Sequence, residues 1–467
     1  MQDIPDEGQA APEPSRPSIV APPLPAYRDE LHERVLGHPT LLGDIAHAVG
    51  GPFHLMYPDR VAHNIAAFRA VFANTGVAGA VYYAKKANKA ACVVRTCAKA
   101  DAAMEVSSLG ELTAAMAGGI RGTDLMVTGP GKSDDLLWPA IRHGALIAVD
   151  ALDELERIAA VCRPDMPAWV LLRVRPPAST SRFGLTETEL SSALHSIDPD
   201  GSMLLEGFSF HLSDYEVTPR ATLAAALVDR CLTARTFGHP ASTISIGGGF
   251  GVDYVAAADW ARFTENGPDQ RWFHPGAEIA DFYPYHFARP GADMLTDILG
   301  TAGLSERLRN AGIRLAVEPG RALLDRAGCT VFGVRSAKAR AADAADPHNT
   351  AYRFLTVDGT SFSLSEQWFG SEYLPDPVLW PHDSTGSADP HEPTPSCVGG
   401  ASCLEADMVS RRRVALHRAA RVGDLLVYPN TAGYQMDSNE SGFHELPLPP
   451  KIVLHEQYGY LRWTLDR

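Results

Sequence analysis

Ala80-Val81-Tyr82-Tyr83-Ala84-Lys85-Lys86-Ala87-Asn88-Lys89 is a short β-rich, aromatic run that stops at a lysine pair and passes through Ala-Asn into a helical pattern. A lysine at the C-terminal end of a buried strand is where an α/β barrel keeps its chemistry. A desolvated amine there can shed its proton and form a Schiff base with an aldehyde cofactor. Seven further apolar runs follow: Met104–Val106, Leu125–Gly129, Leu146–Asp150, Trp169–Val174, Gly207–Leu212, Thr243–Gly249 and Arg314–Gly320. Helical patterns separate them, among them Leu109–Ala117 and Asp153–Val161. This alternation argues for parallel strands with helical crossovers, and eight units in roughly 250 residues is the size of a (β/α)8 TIM barrel. Several runs end in glycine or polar residues: Lys86, His211, Gly247-Gly248-Gly249 and Glu318-Pro319-Gly320-Arg321.

After Arg321 the pattern changes to short β-rich runs (Thr330–Val334, Phe354–Val357, Asp424–Tyr428, Lys451–His455) between Pro, Gly and Asp loops. The expected organisation is a barrel over 57–325 and a mostly β domain over 326–467, completed by the segment 26–56. Residues 1–25 carry Pro, Ala and acids without periodicity and read as a disordered tail. Two aromatic, Pro-rich stretches, Val255–Asp297 and Ser361–Ser396, read as insertions that either reshape the pocket or pack a dimer. Composition adds limits. The net charge of −15 disfavours nucleic acid and anionic membranes. No leader pattern and no membrane-length apolar run is present, so a cytoplasmic protein is expected. The 7 cysteines form no CxxC pair, which fits a reducing compartment without disulfides or a metal site. The basic triplet Arg411-Arg412-Arg413 reads as a solvated face or a salt-bridge cluster.

Stretches along the chain resemble the fold-type III pyridoxal-phosphate decarboxylases, the family of eukaryotic ornithine decarboxylase and bacterial diaminopimelate decarboxylase. They are Tyr83-Ala-Lys-Lys-Ala-Asn88, Glu105-Val-Ser-Ser-Leu-Gly-Glu-Leu112, Ser181-Arg-Phe-Gly184, Phe210-His-Leu-Ser213, Gly247-Gly-Gly-Phe250, Glu318-Pro-Gly-Arg321, Val357-Asp-Gly359, Gly400-Ala-Ser-Cys403 and Ala432-Gly-Tyr434. They follow the family's order and cover about 350 of the 467 residues. The resemblance implies an alanine-racemase-like barrel, pyridoxal 5'-phosphate (PLP) as cofactor, and a homodimer with shared active sites.

By that resemblance Lys86 holds the cofactor as a Schiff base, and its neighbour Lys85 is a solvated charge. Glu318 faces the pyridine nitrogen and keeps it protonated, so the ring accepts the electrons released with carbon dioxide and a quinonoid follows. Gly247, Gly248 and Gly249 cradle the phosphate with backbone N–H groups, joined by Ser213, Gly320, Arg321 and Tyr434. His211 stacks on the ring, although a histidine in an apolar strand is ordinarily a core residue. Arg173 lies near it, a cation in an apolar strand that needs a partner. Glu105 stands where ornithine decarboxylase has Asp. Cys403 reaches into the neighbouring subunit's site to deliver a proton, while the other cysteines read as buried or bystander thiols.

The family follows that cysteine with Asp or Glu, which contacts the distal end of the substrate. This chain has Leu404 and then Glu405. An aliphatic side chain cannot pair with a distal ammonium, so a free diamino acid handled in the usual way is disfavoured unless Glu405 compensates. Asp358 joins the substrate residues by the same resemblance. Arg182 and Asp407 match positions that pair between subunits. The segment Asn430–Met436 with Glu440, Ser441 and His444 looks like the branch acting on siderophore and secondary-metabolite intermediates. The expected activity is therefore removal of the α-carboxylate of an amino acid or amino-acid-bearing metabolite. The alternatives are a racemase or epimerase on the same scaffold, which would place Arg at the pyridine nitrogen, and a small non-catalytic cofactor carrier, which would lack the β domain.

Overall fold

Phe53–Met56 is a buried apolar strand, β1, yet it lies outside the barrel that follows it. The computed structural model describes residues 21–467 except 178, 266, 277–281, 341–350, 366–371 and 381–393. In it β2 (Gly79–Ala84), β3 (Ala103–Val106), β4 (Leu125–Val127), β5 (Leu146–Val149), β6 (Ala168–Arg173), β7 (Met203–Ser209), β8 (Thr243–Ser245) and β9 (Arg314–Val317) close into a parallel barrel in chain order. The strands are short, apolar and mostly buried along their length, as strands covered on both faces must be. The expected strands are therefore present, but those of Gly207–Leu212, Thr243–Gly249 and Arg314–Gly320 stop earlier than the apolar pattern does. Their polar tails leave the ladder as loops, and that frees His211, Gly247–Gly249 and Glu318 to line a cleft.

Helices occupy the crossovers for local reasons. Leu109–Ala117 starts where the Ser108 hydroxyl accepts from the Glu111 N–H at 3.2 Å. Glu187–Ser196 opens with a reciprocal capping box between Thr186 and Glu189. Tyr82, Met126, Leu146, Leu171 and Ala316, from five different strands, form a cluster of their own inside the barrel. The register levels the C-terminal ends: Ala84 lies beside Glu105, Arg173 beside Ser209, Ser209 beside Ser245, and Ser245 beside Ala316.

The remaining strands are β10 (Gly328–Arg340), β11 (Tyr352–Val357), β12 (Val378–Trp380), β13 (Thr394–Gly399), β14 (Met408–Leu416), β15 (Leu425–Pro429), β16 (Lys451–Gln457) and β17 (Tyr460–Leu465). With β1 they make a 9-stranded sheet in which β14-β13-β11-β10-β1-β16-β17 is the main order and β15 bridges β10 and β12. The strand preceding the barrel thus sits in the middle of the C-terminal sheet, antiparallel to β10 and parallel to β16. Helices Glu30–Gly37 and Leu41–Val49 pack against it through Val35, Leu41, Leu42 and Ile45.

Two expectations are corrected here. Of the tail expected to be disordered, residues 1–20 lie outside the described residues, but 21–25 are packed: Leu24 is fully buried and its N–H donates to Asp376 at 2.8 Å. The basic triplet is not a solvated face. Arg412 and Arg413 lie buried on β14, where Arg412 pairs with Asp376 and donates to the carbonyls of Leu374 at 2.7 Å and Pro22 at 3.1 Å. A buried guanidinium costs several kcal/mol without such partners, which is why the salt-bridge reading wins. Burial also pushes the thiols of Cys92, Cys97, Cys231, Cys329 and Cys397 up to about 12, so they are inert. Trp368 and Phe369 of the second insertion lie outside the described residues. No helix among the described residues is long and apolar enough to cross a membrane.

Asn88 fastens the two halves behind Lys86. Fully buried, it donates to the Ala432 carbonyl at 2.8 Å and accepts from the Ala90 N–H at 2.9 Å. Asn88→Ala orphans both groups, at about 1–3 kcal/mol each. The variant is expected to melt a few degrees below the parent in a thermal scan and to be cut faster by protease near residue 432; an unchanged melt refutes the fastening role.

Candidate active site

Glu105, the penultimate residue of β3, is 1% exposed and accepts from three donors: Lys86 Nζ at 2.8 Å, Ser107 Oγ at 3.1 Å and Thr128 Oγ1. Burial alone would raise its pKa; the Lys86 charge and these hydrogen bonds outweigh burial and hold it below the usual range. For Lys86 the crowding of the barrel mouth pulls the pKa down, but Glu105, Tyr434 and Glu318 pull it up more strongly. The Lys86 side chain is half-exposed because that mouth is open. Lys85 behaves differently from expectation. It is not a solvated charge but is buried at 3% exposure, with its pKa lowered by desolvation against the pull of Glu111 and Asp437. The 3₁₀ turn Lys85–Ala87 accounts for it, sending adjacent lysines to different sides.

Glu318 follows β9 and accepts from Ser245 Oγ at 2.5 Å. Burial, and then the nearby Glu105 charge, raise its pKa. His211 lies just past the end of β7 rather than inside a strand, and its Nδ1 accepts from the Gly248 N–H at 3.3 Å. Desolvation and then the cations Lys86, Arg220 and Arg173 hold its pKa down to about 3, so the imidazole is neutral. Arg173 has its partner: it donates to Asp150 at 3.2 Å and lies over the Phe183 ring at 4.7 Å.

Two adjoining cavities meet at Lys86, His211 and Glu318. One, of 300 Å³, adds Glu105 and Arg173; the other, of 420 Å³, adds Ser213, Gly248, Gly249, Gly320, Arg321 and Tyr434. Gly247 opens the loop at φ +69° and Gly249 closes it at φ +77°, a backbone that side-chain-bearing residues avoid. Arg321 donates to the Tyr254 hydroxyl at 3.2 Å and lies 4.2 Å from the Tyr283 ring centroid and 5.0 Å from that of Tyr434. Tyr283 belongs to the first insertion, so that insertion reaches the site. A Cβ on Gly320 would come within 2.7 Å of the Tyr434 hydroxyl, so a side chain there would push Tyr434 back from this end. An amine, a carboxylate opposite it, and a glycine loop whose Gly249 N–H makes no bond to protein among the described residues, with a cation beside it, fit a pyridine ring that carries an aldehyde and a phosphate.

Seven expected site residues line neither cavity. Gly247 lies behind the loop, where its N–H donates to Ser245 Oγ at 3.3 Å. Cys403 is exposed on the turn between β13 and β14, with its Sγ 3.0 Å from His444 Nε2. Leu404 and Glu405 beside it are exposed. Asp358 accepts from the Gly333 N–H at 2.8 Å within the β domain. Arg182 is exposed, with its guanidinium 4.4 Å from the Phe183 ring. Asp407 does not present a free carboxylate: at 4% exposure it accepts from the Ser361 N–H at 2.7 Å and the Ser402 N–H at 3.1 Å, shaping the Cys403 turn.

Residues 59–271 match the family model described as "pyridoxal-dependent decarboxylase, pyridoxal binding domain". The uncharacterized protein y4yA of Sinorhizobium fredii is 35% identical over 440 residues, covering 92% of this chain and 94% of that one. The chain belongs to the fold-type III PLP-dependent decarboxylases. It is a carboxy-lyase that uses PLP. The 2-[(L-alanin-3-ylcarbamoyl)methyl]-2-hydroxybutanedioate decarboxylase of Staphylococcus aureus is 28% identical over 204 residues, 40% of this chain and 51% of that one. Among solved structures, diaminopimelate decarboxylase from Helicobacter pylori complexed with L-lysine superposes with a TM-score of 0.69 at 17% identity, covering 91% of this chain and 97% of that chain.

In this decarboxylase the residues that sequence reasoning passed over are mostly those behind the expected ones: Thr128 and Ser107 on Glu105, Ser245 on Glu318, Asp150 on Arg173, Tyr254 and Tyr283 on Arg321. Thr128 and Ser245 stand at or beside strand ends, a signal that was open to reading. Tyr283 lies far from its partner in sequence and carried none.

Glu105, with its pKa lowered, stabilises the fold above its unfolded value of about 4.3, and that contribution is lost as pH falls through the folded pKa. In Lys86→Met, burial dominates instead and the Glu105 pKa rises. The penalty is then absent below the unfolded pKa and fully developed once pH passes the raised one. Cofactor-free Lys86→Met is therefore expected to melt below Lys86→Met/Glu105→Gln at pH 8, with the gap closing near pH 4. Equal melting temperatures at both pH values count against the pairing.

Proposed function

We propose that this enzyme removes the α-carboxylate of an amino acid or an amino-acid-bearing metabolite, working as a homodimer whose sites are shared. The observation that carries the reading is the convergence of Lys86, Glu318 and the glycine–Arg321–Tyr434 cradle on one cavity of 420 Å³. Lys86 would hold the aldehyde carbon of PLP, Glu318 its ring nitrogen, and the glycine loop with Ser213, Arg321 and Tyr434 its phosphate. PLP supplies an electron-accepting ring for the pair released when the bond to carbon dioxide breaks.

The chain's own residues do the rest. Glu318, made more basic by burial and by Glu105, is a strong acceptor for a ring N–H. Glu105, fixed by three donors, aims Lys86 Nζ into the cavity. Neutral His211 offers an uncharged flat face to a ring. The racemase reading is not favoured, since a carboxylate, not an arginine, occupies the position of Glu318.

Cys403 lines neither cavity of its own chain, which supports its serving the partner's site. Its thiol would deliver a proton to the carbon that lost the carboxylate, and His444 Nε2 at 3.0 Å would resupply it. Arg182 would meet the partner's Asp407 through lone pairs that the two backbone amides leave free. Exposed Leu404 would meet the substrate's distal end in the partner's site, and its aliphatic side chain supports a substrate without a distal ammonium there, in keeping with a secondary-metabolite branch.

Carbon dioxide release from carboxyl-labelled amino acids, run against both diamino acids and amide-linked amino-acid conjugates, tests the reaction. Release is expected to be faster from a conjugate, and Leu404→Asp should shift the preference toward diamino acids. PLP-loaded protein that releases nothing from any of them counts against the reaction. Borohydride should place the reduced cofactor adduct on Lys86 and not on Lys85.

The shared site has its own check. Mixing inactive Lys86→Ala and Cys403→Ala chains should restore about a quarter of parental activity, because about half of random dimers are mixed and one of their two sites is intact. No recovery after verified subunit exchange would mean that each site is built from one chain.

A further inference from the structure

Arg220, in the first turn of the helix Val217–Thr236, is with Arg412 one of the two largest fully buried side chains among the described residues. A guanidinium at 0% exposure normally meets a carboxylate, yet among the described residues Arg220 makes no ion pair. Its hydrogen bonds all go to backbone carbonyls: Gly248 through Nη1, and Asp214 at 2.8 Å and Leu212 at 3.5 Å through Nη2. Those carbonyls belong to the two loops that line the phosphate end of the 420 Å³ cavity.

The peptide geometry gives this arrangement a consequence. In a trans peptide the carbonyl of one residue and the N–H of the next point in opposite directions. By holding the Gly248 carbonyl, Arg220 turns the Gly249 N–H to the other side of the loop, toward the cavity that Gly248 and Gly249 line. The Leu212 carbonyl is held more loosely, and its peptide carries the Ser213 N–H. Neither the Gly249 nor the Ser213 N–H donates to a protein acceptor among the described residues. Gly249 is also the position where a Cβ would lie 2.8 Å from Arg220 Nη2, so the close approach of the guanidinium depends on glycine there. Burial lowers the Arg220 pKa to about 10, which leaves it cationic at neutral pH. Its charge thus sits one peptide unit behind two outward-facing amides, in a low-dielectric setting that screens it little.

We propose that Arg220 is a positioning residue for the cofactor's phosphate, orienting the loop amides and placing a buried positive charge behind them. The proposal rests on the PLP reading above and adds a residue outside the matched motifs. Arg321 is the direct cation at the cavity; Arg220 acts through the two loops.

Cofactor-free protein titrated with PLP, with pyridoxal and with inorganic phosphate as a competitor separates the possibilities. Arg220→Met is expected to weaken PLP and inorganic phosphate on the order of tenfold or more while leaving pyridoxal, which lacks the phosphate, unchanged. Arg220→Lys keeps the charge but loses the fork, and should fall between the two. If Arg220→Met does not fold, as judged by its melting curve, Arg220→Lys carries the comparison. PLP and pyridoxal weakened in parallel would overturn the proposal in favour of a general packing role, and unchanged PLP affinity would overturn it outright. A parent protein that binds pyridoxal as tightly as PLP would overturn the phosphate cradle itself, and this proposal with it.

Discussion

Closing eight parallel strands into a barrel brings their C-terminal ends to one rim, and the chemistry of this chain depends on that closure. The pairing register puts Glu105 beside the end of β2, and Ser209, Ser245 and Ala316 on one level. Residues from positions as distant as 86 and 318 therefore meet at hydrogen-bonding range of a common cavity. The barrel interior below them is filled by side chains such as Tyr82 and Leu171, so the rim is a floor rather than the mouth of a channel.

On that floor the electrostatics are divided. Glu105 and Glu318 are both buried carboxylates, yet their pKa values move in opposite directions. Glu105 has a cation and hydroxyl donors; Glu318 has one hydroxyl and the repulsion of Glu105. Environments that push two like groups apart in this way assign them different tasks. Glu105 orients the Lys86 amine, while Glu318 is the more basic carboxylate and, in the proposed reading, the acceptor for a ring nitrogen. The cations are arranged in the same graded manner, with Arg321 at the cavity surface, Arg173 neutralised by Asp150, and Arg220 wholly behind the loops.

The second sheet holds β1, the strand that leads into the barrel, near its centre, and it meets the barrel's segments where Asn88 donates to the Ala432 carbonyl and where Phe273 of the first insertion bridges Arg412. In the turn that carries Cys403, Asp407 accepts from the Ser402 N–H and also from the Ser361 N–H of a neighbouring loop, and the Cys403 thiol already meets His444. The Cys403 thiol is thus positioned by contacts within one chain, and it lines neither of that chain's two cavities.

Local sequence determined the elements and much of the site. Apolar runs of strand length, a serine cap before Leu109, and glycines where the backbone must turn left-handed are effects of neighbouring residues, and neighbours can be read in order. For the same reason Lys86, Glu105, Glu318, Arg321 and the glycine loop were legible, each at the end of a strand. Tertiary structure alone decided where the strands of His211 and Glu318 stop, because a ladder ends where its neighbour ends, not where hydrophobicity does. It also decided that Lys85 is buried, that residues 21–25 are packed around Leu24, and that two of the three arginines of the triplet, Arg412 and Arg413, are internal. Whether a charge is tolerated depends on the partners that arrive from distant parts of the chain. The same holds for Tyr283 under Arg321 and for Arg220 behind the glycine loop, contacts between segments that no local pattern connects.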